Sequence, residues 1–169
     1  MLILNKILVI YEIEFALLKC YYVTIGKMKN SIKKRAIDFC EKNNLRLTEP
    51  RLQVLSIIIS SKKPIKAYEI LKELGRKILN PKPPTAYRAI DFWLKNNFIH
   101  RIESLNAYYK CEAGHLHSGS QYLICTDCGA VTESHICELP TKIEESVQKN
   151  NFMPLKWNLE VNGVCKKCS

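Results

Sequence analysis

Two Cys-x-x-Cys pairs, Cys125-Thr-Asp-Cys128 and Cys165-Lys-Lys-Cys168, account for four of the eight cysteines in a chain of 169 residues. Two residues between thiolates let both sulfurs face one ion from a tight turn, so the spacing points to tetrahedral zinc rather than to disulfides. Four cysteines leave no open coordination position, which marks a structural site stapling a strand start to the chain end. Reduced thiols fit a cytosolic setting. A second set is scattered: His100 and Cys111 flank a hairpin, His115 and His117 follow it, and Glu133 lies further on. Taken singly, each reads as an ordinary surface or core residue. Together they sit where two halves of the chain meet, a place where a metal would lock relative orientation. A thiolate in the set favours Zn2+ over Fe2+ or Mn2+.

Charge divides the chain at the same place. The net charge is +10, but residues 1–110 carry +12 and residues 111–169 carry −2. A basic first half suits a polyanion. Its candidate contacts are Tyr68, Thr85, Tyr87 and Arg88, surrounded by Arg51, Lys66 and Lys82. In a helix-turn-helix, the second helix offers its N-terminal side chains to the major groove. There Arg88 reaches a guanine edge and the lysines neutralise phosphates.

The elements that hold these residues are legible from hydrophobic period. Helical spacing runs from Asn30 to Asn43, with Ala36, Phe39 and Cys40 inward and Lys33, Lys34 and Arg35 outward. Thr48 reads as the N-cap of a second helix, with Pro50 in its first turn and Leu52, Leu55, Ile58 and Ile59 inward. A third helix is expected from Ala67 to Ile78. The Pro81–Pro84 segment reads as a rigid, non-helical entry to a fourth at Thr85–Asn96, burying Ala89, Ile90, Trp93 and Leu94. Two β-prone runs, Phe98–Glu103 and Ala107–Cys111, then close a winged helix-turn-helix. Beyond Glu112–Ser120, strands are expected at Gln121–Cys125 and Ala130–His135 and a helix at Pro140–Asn150. A last strand should alternate Leu155, Trp157, Leu159 and Val161 with Lys156, Asn158, Glu160 and Asn162. The fold class is therefore α+β: a winged helix-turn-helix domain over residues 28–111, a hinge linker at 112–120, and a small α/β dimerisation domain at 121–169 that carries the four-cysteine zinc site.

Several function classes are excluded. The chain contains no His-Glu-x-x-His, no Gly-x-Ser-x-Gly and no Gly-rich phosphate loop, and the only closed metal set is structural, so no catalytic residue is assigned. Lys6, Glu12, Glu14 and Lys19 interrupt the apolar start, which excludes a membrane span or export signal there. We read Met28 as the start, and residues 1–27 as an upstream over-extension or a disordered lead.

Four segments carry a family resemblance: Leu45-Arg-Leu-Thr48 with Arg51, Lys82-Pro-Pro-Thr-Ala-Tyr-Arg-Ala-Ile90, Phe98–Glu103, and Ile124-Cys-Thr-Asp-Cys-Gly-Ala-Val131. In this order they resemble the ferric uptake regulator superfamily, and most closely its zinc uptake regulator branch, over roughly Asn30 to Cys168. The resemblance implies a cytoplasmic, homodimeric repressor that binds a palindromic operator in double-stranded DNA, with neither a membrane nor a small-molecule substrate as partner. It implies structural zinc on Cys125, Cys128, Cys165 and Cys168. It also implies regulatory zinc on His100, Cys111, His117 and Glu133, with His115 as the substitute for His117, and base contacts from Tyr68 and Arg88. Ser118–Gln121 lack the histidines of iron-sensing relatives, and Trp157 replaces their later strand histidine, which favours zinc. The expected function is zinc-responsive repression of zinc-uptake genes. The alternatives are an iron- or manganese-sensing regulator of the same kind and, from another class, a zinc-stapled RNA-binding module.

Overall fold

The computed structural model describes residues 32–114, 117–134 and 138–169; the expected lead at 1–27, together with His115, lies outside them. Four helices come first: α1 Ile32–Lys42, α2 Glu49–Ser60, α3 Ala67–Gly75 and α4 Pro83–Lys95. A hairpin follows, β1 Ile99–Ile102 paired antiparallel with β2 Ala107–Lys110. This is a winged helix-turn-helix. The second half is a three-stranded sheet with one helix: β3 Gly119–Cys125, β4 Val131–Ser134, α5 Thr141–Lys149 and β5 Trp157–Gly163. The sheet order is β4-β3-β5, antiparallel on the β4 side and parallel on the β5 side. No helix among the described residues is long and apolar enough to cross a membrane.

α2 is the central helix. Val54, Leu55, Ile57 and Ile58 are all buried, whereas Leu52 and Ile59, expected inward, are only half-buried. The helix packs against α1, α3, α4 and β2 at once, so its apolar residues are not confined to one stripe. Thr48 takes the N-cap position without a side-chain bond. α3 ends at Gly75, three residues before the expected Ile78. The chain there turns through Arg76–Asn80 toward Pro81, with Asn80 at φ 46°. α4 begins at Pro83 rather than Thr85, because two prolines occupy its first positions, where a missing N–H costs nothing and the fixed φ suits the helix. Trp93 is fully buried in α4. Its Nε1 donates to the Arg51 carbonyl at 2.7 Å, and its ring meets Phe98 edge-on at 5.2 Å. The wing is anchored to the helices by Ile65, which exchanges backbone hydrogen bonds with Tyr108 at 2.9 and 2.8 Å.

A smaller apolar cluster joins the two halves: Ile102 and Tyr109 of the wing pack with Tyr122, Ile124 and Val131 of the sheet. Within the sheet, Gly119 pairs with Trp157, and a Cβ on Gly119 would fall 1.7 Å from the Trp157 indole. Gly119→Ala must therefore displace Trp157 from the β3–β5 seam. It should cost about 1–3 kcal/mol of stability, read as a lower midpoint in thermal or denaturant unfolding.

The last strand departs from expectation. Leu155 lies outside β5 and is exposed, and Leu123 and Val161, register partners, are 46% and 45% exposed. The apolar residues of β5 share a sheet face opposite the one that meets the wing. On the face that meets the wing Glu160 is half-buried while Asn158 and Asn162 are exposed; Trp157 and Leu159, on the other face, are half-buried.

Candidate metal centres and contact surface

Cys125 ends β3 and Cys128 closes the turn after it, where Gly129 at φ 68° donates its N–H to the Cys125 carbonyl at 3.0 Å. Cys165 and Cys168 form a second turn beyond β5, and the parallel pairing of β3 with β5 brings the two turns together. The Cys128 and Cys165 sulfurs lie 3.8 Å apart and those of Cys165 and Cys168 3.7 Å apart. A tetrahedral ion with bonds of about 2.3 Å to sulfur sets neighbouring ligands roughly 3.8 Å apart, so the four free thiols fit it. Their electrostatics agree. Backbone N–H groups of Cys128 and Cys165 hold Cys125 down to about 6, which favours a thiolate. Sulfur contacts with Cys165 and Cys128 push Cys168 up to about 12. Lys63, from the loop before α3, donates to the Cys128 carbonyl at 2.5 Å and so touches this knuckle from the other half.

The second cluster is drawn from four segments. His100 stands in β1, Cys111 just beyond β2, His117 in the linker, and Glu133 in β4. One ligand atom from each lies within 4.8 Å of all the others. His117 Nε2 is 3.2 Å from His100 Nε2 and 3.8 Å from Cys111 Sγ, and the Glu133 carboxylate is 3.8 Å from His100. These separations match the roughly 3.3–3.8 Å edges that tetrahedral zinc imposes on nitrogen, sulfur and oxygen ligands. Burial opposes charge throughout. It pulls His100 down to about 4, helped by the His117 ring and Lys156, and with Glu133 it pushes Cys111 up to about 12. Burial also raises Glu133, although the Glu112 N–H donates to that carboxylate at 2.8 Å. Two imidazoles beside a thiol and a carboxyl, all facing inward, form a donor set a dication would convert to its charged form. His117 is the linker histidine that the described residues place here; His115 lies outside them.

Sequence reasoning missed two inter-half contacts. Arg35, expected on the outer face of α1, is half-buried, donates to the Cys111 carbonyl at 3.2 Å and lies 6.0 Å from the Phe98 ring centre. Glu160, read only as one of the polar positions alternating along the last strand, accepts the N–H groups of Glu103 and Ser104 at 2.7 and 3.1 Å. Partial burial works against its charge. Hydrogen bonds from Ser104, Glu103 and Asn158 outweigh it and hold the carboxyl below its ordinary value. No local pattern in the sequence signals either contact.

The residues expected to meet a polyanion are divided between outward and structural positions. Tyr68 in α3 is 65% exposed, Tyr87 in α4 is 50% exposed, and Arg88 and Lys82 are exposed beside it. Thr85 is half-buried. Lys66 is exposed just before α3, and its N–H donates to the Glu69 carboxylate at 2.9 Å. Arg51 is engaged elsewhere: its guanidinium stacks 3.7 Å from the Phe92 ring centre and donates to the Arg46 carbonyl at 2.5 Å.

A winged helix-turn-helix joined to a cysteine-knuckled α/β unit through a buried His-Cys-His-Glu cluster defines a winged-helix protein with two metal-competent centres. The model of the ferric uptake regulator family matches residues 42–162, and the chain belongs to that family. It is 36% identical over 140 residues to the zinc uptake regulation protein of Escherichia coli (strain K12), covering 79% of each chain. To the ferric uptake regulation protein of Helicobacter pylori (strain ATCC 700392 / 26695) it is 26% identical over 140 residues, covering 82% of this chain and 91% of that one. Among solved structures, a zinc uptake regulator complexed with zinc and DNA matches with a TM-score of 0.75 at 33% identity, covering 85% of this chain and 96% of that one. Holo XcZur matches with a TM-score of 0.73 at 35% identity, covering 82% and 97%.

Proposed function

We propose that this protein is a cytoplasmic, zinc-responsive transcriptional repressor of zinc-uptake genes, homodimeric and without catalytic activity, with zinc at the hinge as corepressor. The observation that carries the reading is the convergence of His100, Cys111, His117 and Glu133 from wing, linker and sheet. In this reading residues 28–111 read DNA, 112–120 are the hinge and 121–169 pair the subunits. Zinc, when bound, supplies a single centre that holds four segments at one distance from each other.

The chain's own residues do the rest. Cys125, Cys128, Cys165 and Cys168 hold the structural ion and keep the parallel β5 against β3. His100 and Cys111 hold the wing, and Glu133 holds the sheet. With both fixed, the recognition helix α4 is presented at one angle. Binding favours the DNA-competent orientation only to the extent that the ligands meet better there than elsewhere. Leu123, Val161, Val164, Ile143 and Phe152 are apolar and exposed in one copy, a surface suited to cover by a second. Two copies then address successive half-sites of a palindrome.

On DNA, Arg88 reads a base edge while Tyr68, Thr85 and Tyr87 line the groove and Lys82 meets phosphate; Arg51 supports this face through Phe92 and Arg46. Arg88→Ala should weaken binding to the cognate duplex by about 1–3 kcal/mol and relax sequence choice. Lys82→Ala should weaken all duplexes alike and lower the salt slope by about one. Fluorescence anisotropy tests the function, using a palindromic duplex selected by the zinc-loaded protein from a randomised pool. Tight binding in a high-zinc buffer and weak binding in a low-zinc buffer support it. Equal binding in both, or preference for iron or manganese, rejects it.

A further inference from the structure

Glu133, Tyr122 and Glu160 occupy one register level across β4, β3 and β5: Tyr122 pairs with Glu133 on one side and with Glu160 on the other. Residues paired across strands share a sheet face, so the two carboxylates flank the buried Tyr122 ring and both address the wing. Glu133 does so beside His100 and accepts the Glu112 N–H. Glu160 does so at the other edge of the sheet. Its Oε1 accepts the Glu103 N–H and its Oε2 the Ser104 N–H. Asn158 Nδ2 steadies Oε1 at 2.9 Å.

The turn that Glu160 grips is a defined object. Asn106 sits at φ 45° and returns its N–H to the Glu103 carbonyl at 3.1 Å. Arg101 closes the hairpin by donating to Asn106 Oδ1 at 3.0 Å and pairing with Glu103 at 3.2 Å. A carboxylate that takes two adjacent N–H groups from such a turn fixes both its distance and its direction.

We infer that Glu160 is a positioning residue: a metal-independent latch that holds the tip of the wing on the C-terminal sheet and shares with the hinge ligands the task of setting the DNA-reading angle. The inference rests on the proposed function for its link to DNA, though not for the latch itself. Two holds at opposite edges of the sheet resist rotation of the wing about either one, which a single metal centre does not. Because both holds favour the same orientation, each strengthens the other, and the coupling factor between them is reciprocal.

The test uses the full-length protein and Glu160→Ala, with the isosteric Glu160→Gln as a variant that keeps the side-chain shape. The first readout is hydrogen–deuterium exchange at the Glu103 and Ser104 amides, with the hinge ligand Cys111 intact and in a Cys111→Ser background. Glu160→Ala should speed exchange roughly tenfold or more in both backgrounds, and Glu160→Gln by less. The second readout is hinge-zinc affinity by chelator competition alongside duplex affinity at saturating zinc. Both should fall in Glu160→Ala, hinge-zinc affinity by roughly tenfold, and by less in Glu160→Gln, with the four-cysteine zinc retained. Unchanged exchange in Glu160→Ala overturns the latch. Faster exchange with both affinities unchanged overturns its role in positioning. If wild-type protein binds duplex regardless of zinc, the proposed function fails, and the exchange readout still decides the latch.

Discussion

Cys111→Ser abolishes zinc-dependent DNA binding while leaving the protein folded and its four-cysteine zinc in place. Serine is close in size to cysteine, and at a buried position next to Phe98 and Arg35 it preserves the wing's backbone contacts. What it removes is the thiolate, the one soft donor among the hinge ligands. Three ligands remain, two of them imidazoles from different segments and the third a carboxyl that burial already holds toward its neutral form. Duplex affinity at saturating zinc should fall to that of the zinc-starved wild type, a loss on the order of 5–150-fold. Metal analysis should show one zinc per chain in place of two. The measurement is duplex binding by anisotropy in zinc-buffered solution, with circular dichroism to confirm the fold. Wild-type zinc response in Cys111→Ser would remove Cys111 from the site.

Cys165→Ser acts on stability instead. β5 is a parallel strand reached by a crossover through α5, and α5 itself has no buried residue. The strand's hold on β3 therefore depends on backbone pairing, the Trp157–Gly119 seam and the two cysteine turns, one at the end of each strand. Structural zinc in small sites binds with an apparent ~10–16 kcal/mol, and loss of one thiolate of four forfeits several kcal/mol of that. A domain's whole stability is only about 5–15 kcal/mol. The midpoint of thermal unfolding should drop by roughly 10 °C or more, and strong chelators should lower the wild-type midpoint in the same direction. Hydrogen exchange should locate the loss in Trp157–Gly163 first and in the wing–sheet cluster around Tyr122 next. A midpoint unchanged by either treatment would mean that the cysteine turns hold no structural ion.

What could be read before any coordinates followed the range of the interactions. The Cys-x-x-Cys pairs are local, so spacing alone was enough to gather them, and the helices announced themselves through period and prolines. Boundaries failed where two local effects competed: Pro83 and Pro84 read as part of a non-helical entry, but at the first positions of a helix they are its start. The hinge ligands are not local. Their meeting depends on the pairing of Tyr122 with Glu133 and on the docking of Ile102 and Tyr109 against the sheet, which family resemblance could suggest and periodicity could not. Glu160 shows the sharper failure. Period-two alternation correctly separated the faces of β5 but did not say what either face would meet. In this chain Glu160 of the polar face meets the wing, whereas Val161 of the apolar face and its register partner Leu123 are exposed and Trp157 and Leu159 half-buried. The alternation rule identifies faces; it does not say which of two possible partners each face will meet.

The account stands on a coupling between hinge zinc and DNA, and coupling between two ligands is reciprocal. The direct measurement is the affinity of the hinge for zinc, by chelator competition, with the selected duplex absent and then saturating. Zinc should bind more tightly to the DNA-bound protein, by the same factor through which zinc tightens DNA. Identical zinc affinities in the two conditions would show that the His100–Cys111–His117–Glu133 cluster does not set the orientation in which this protein grips the double helix.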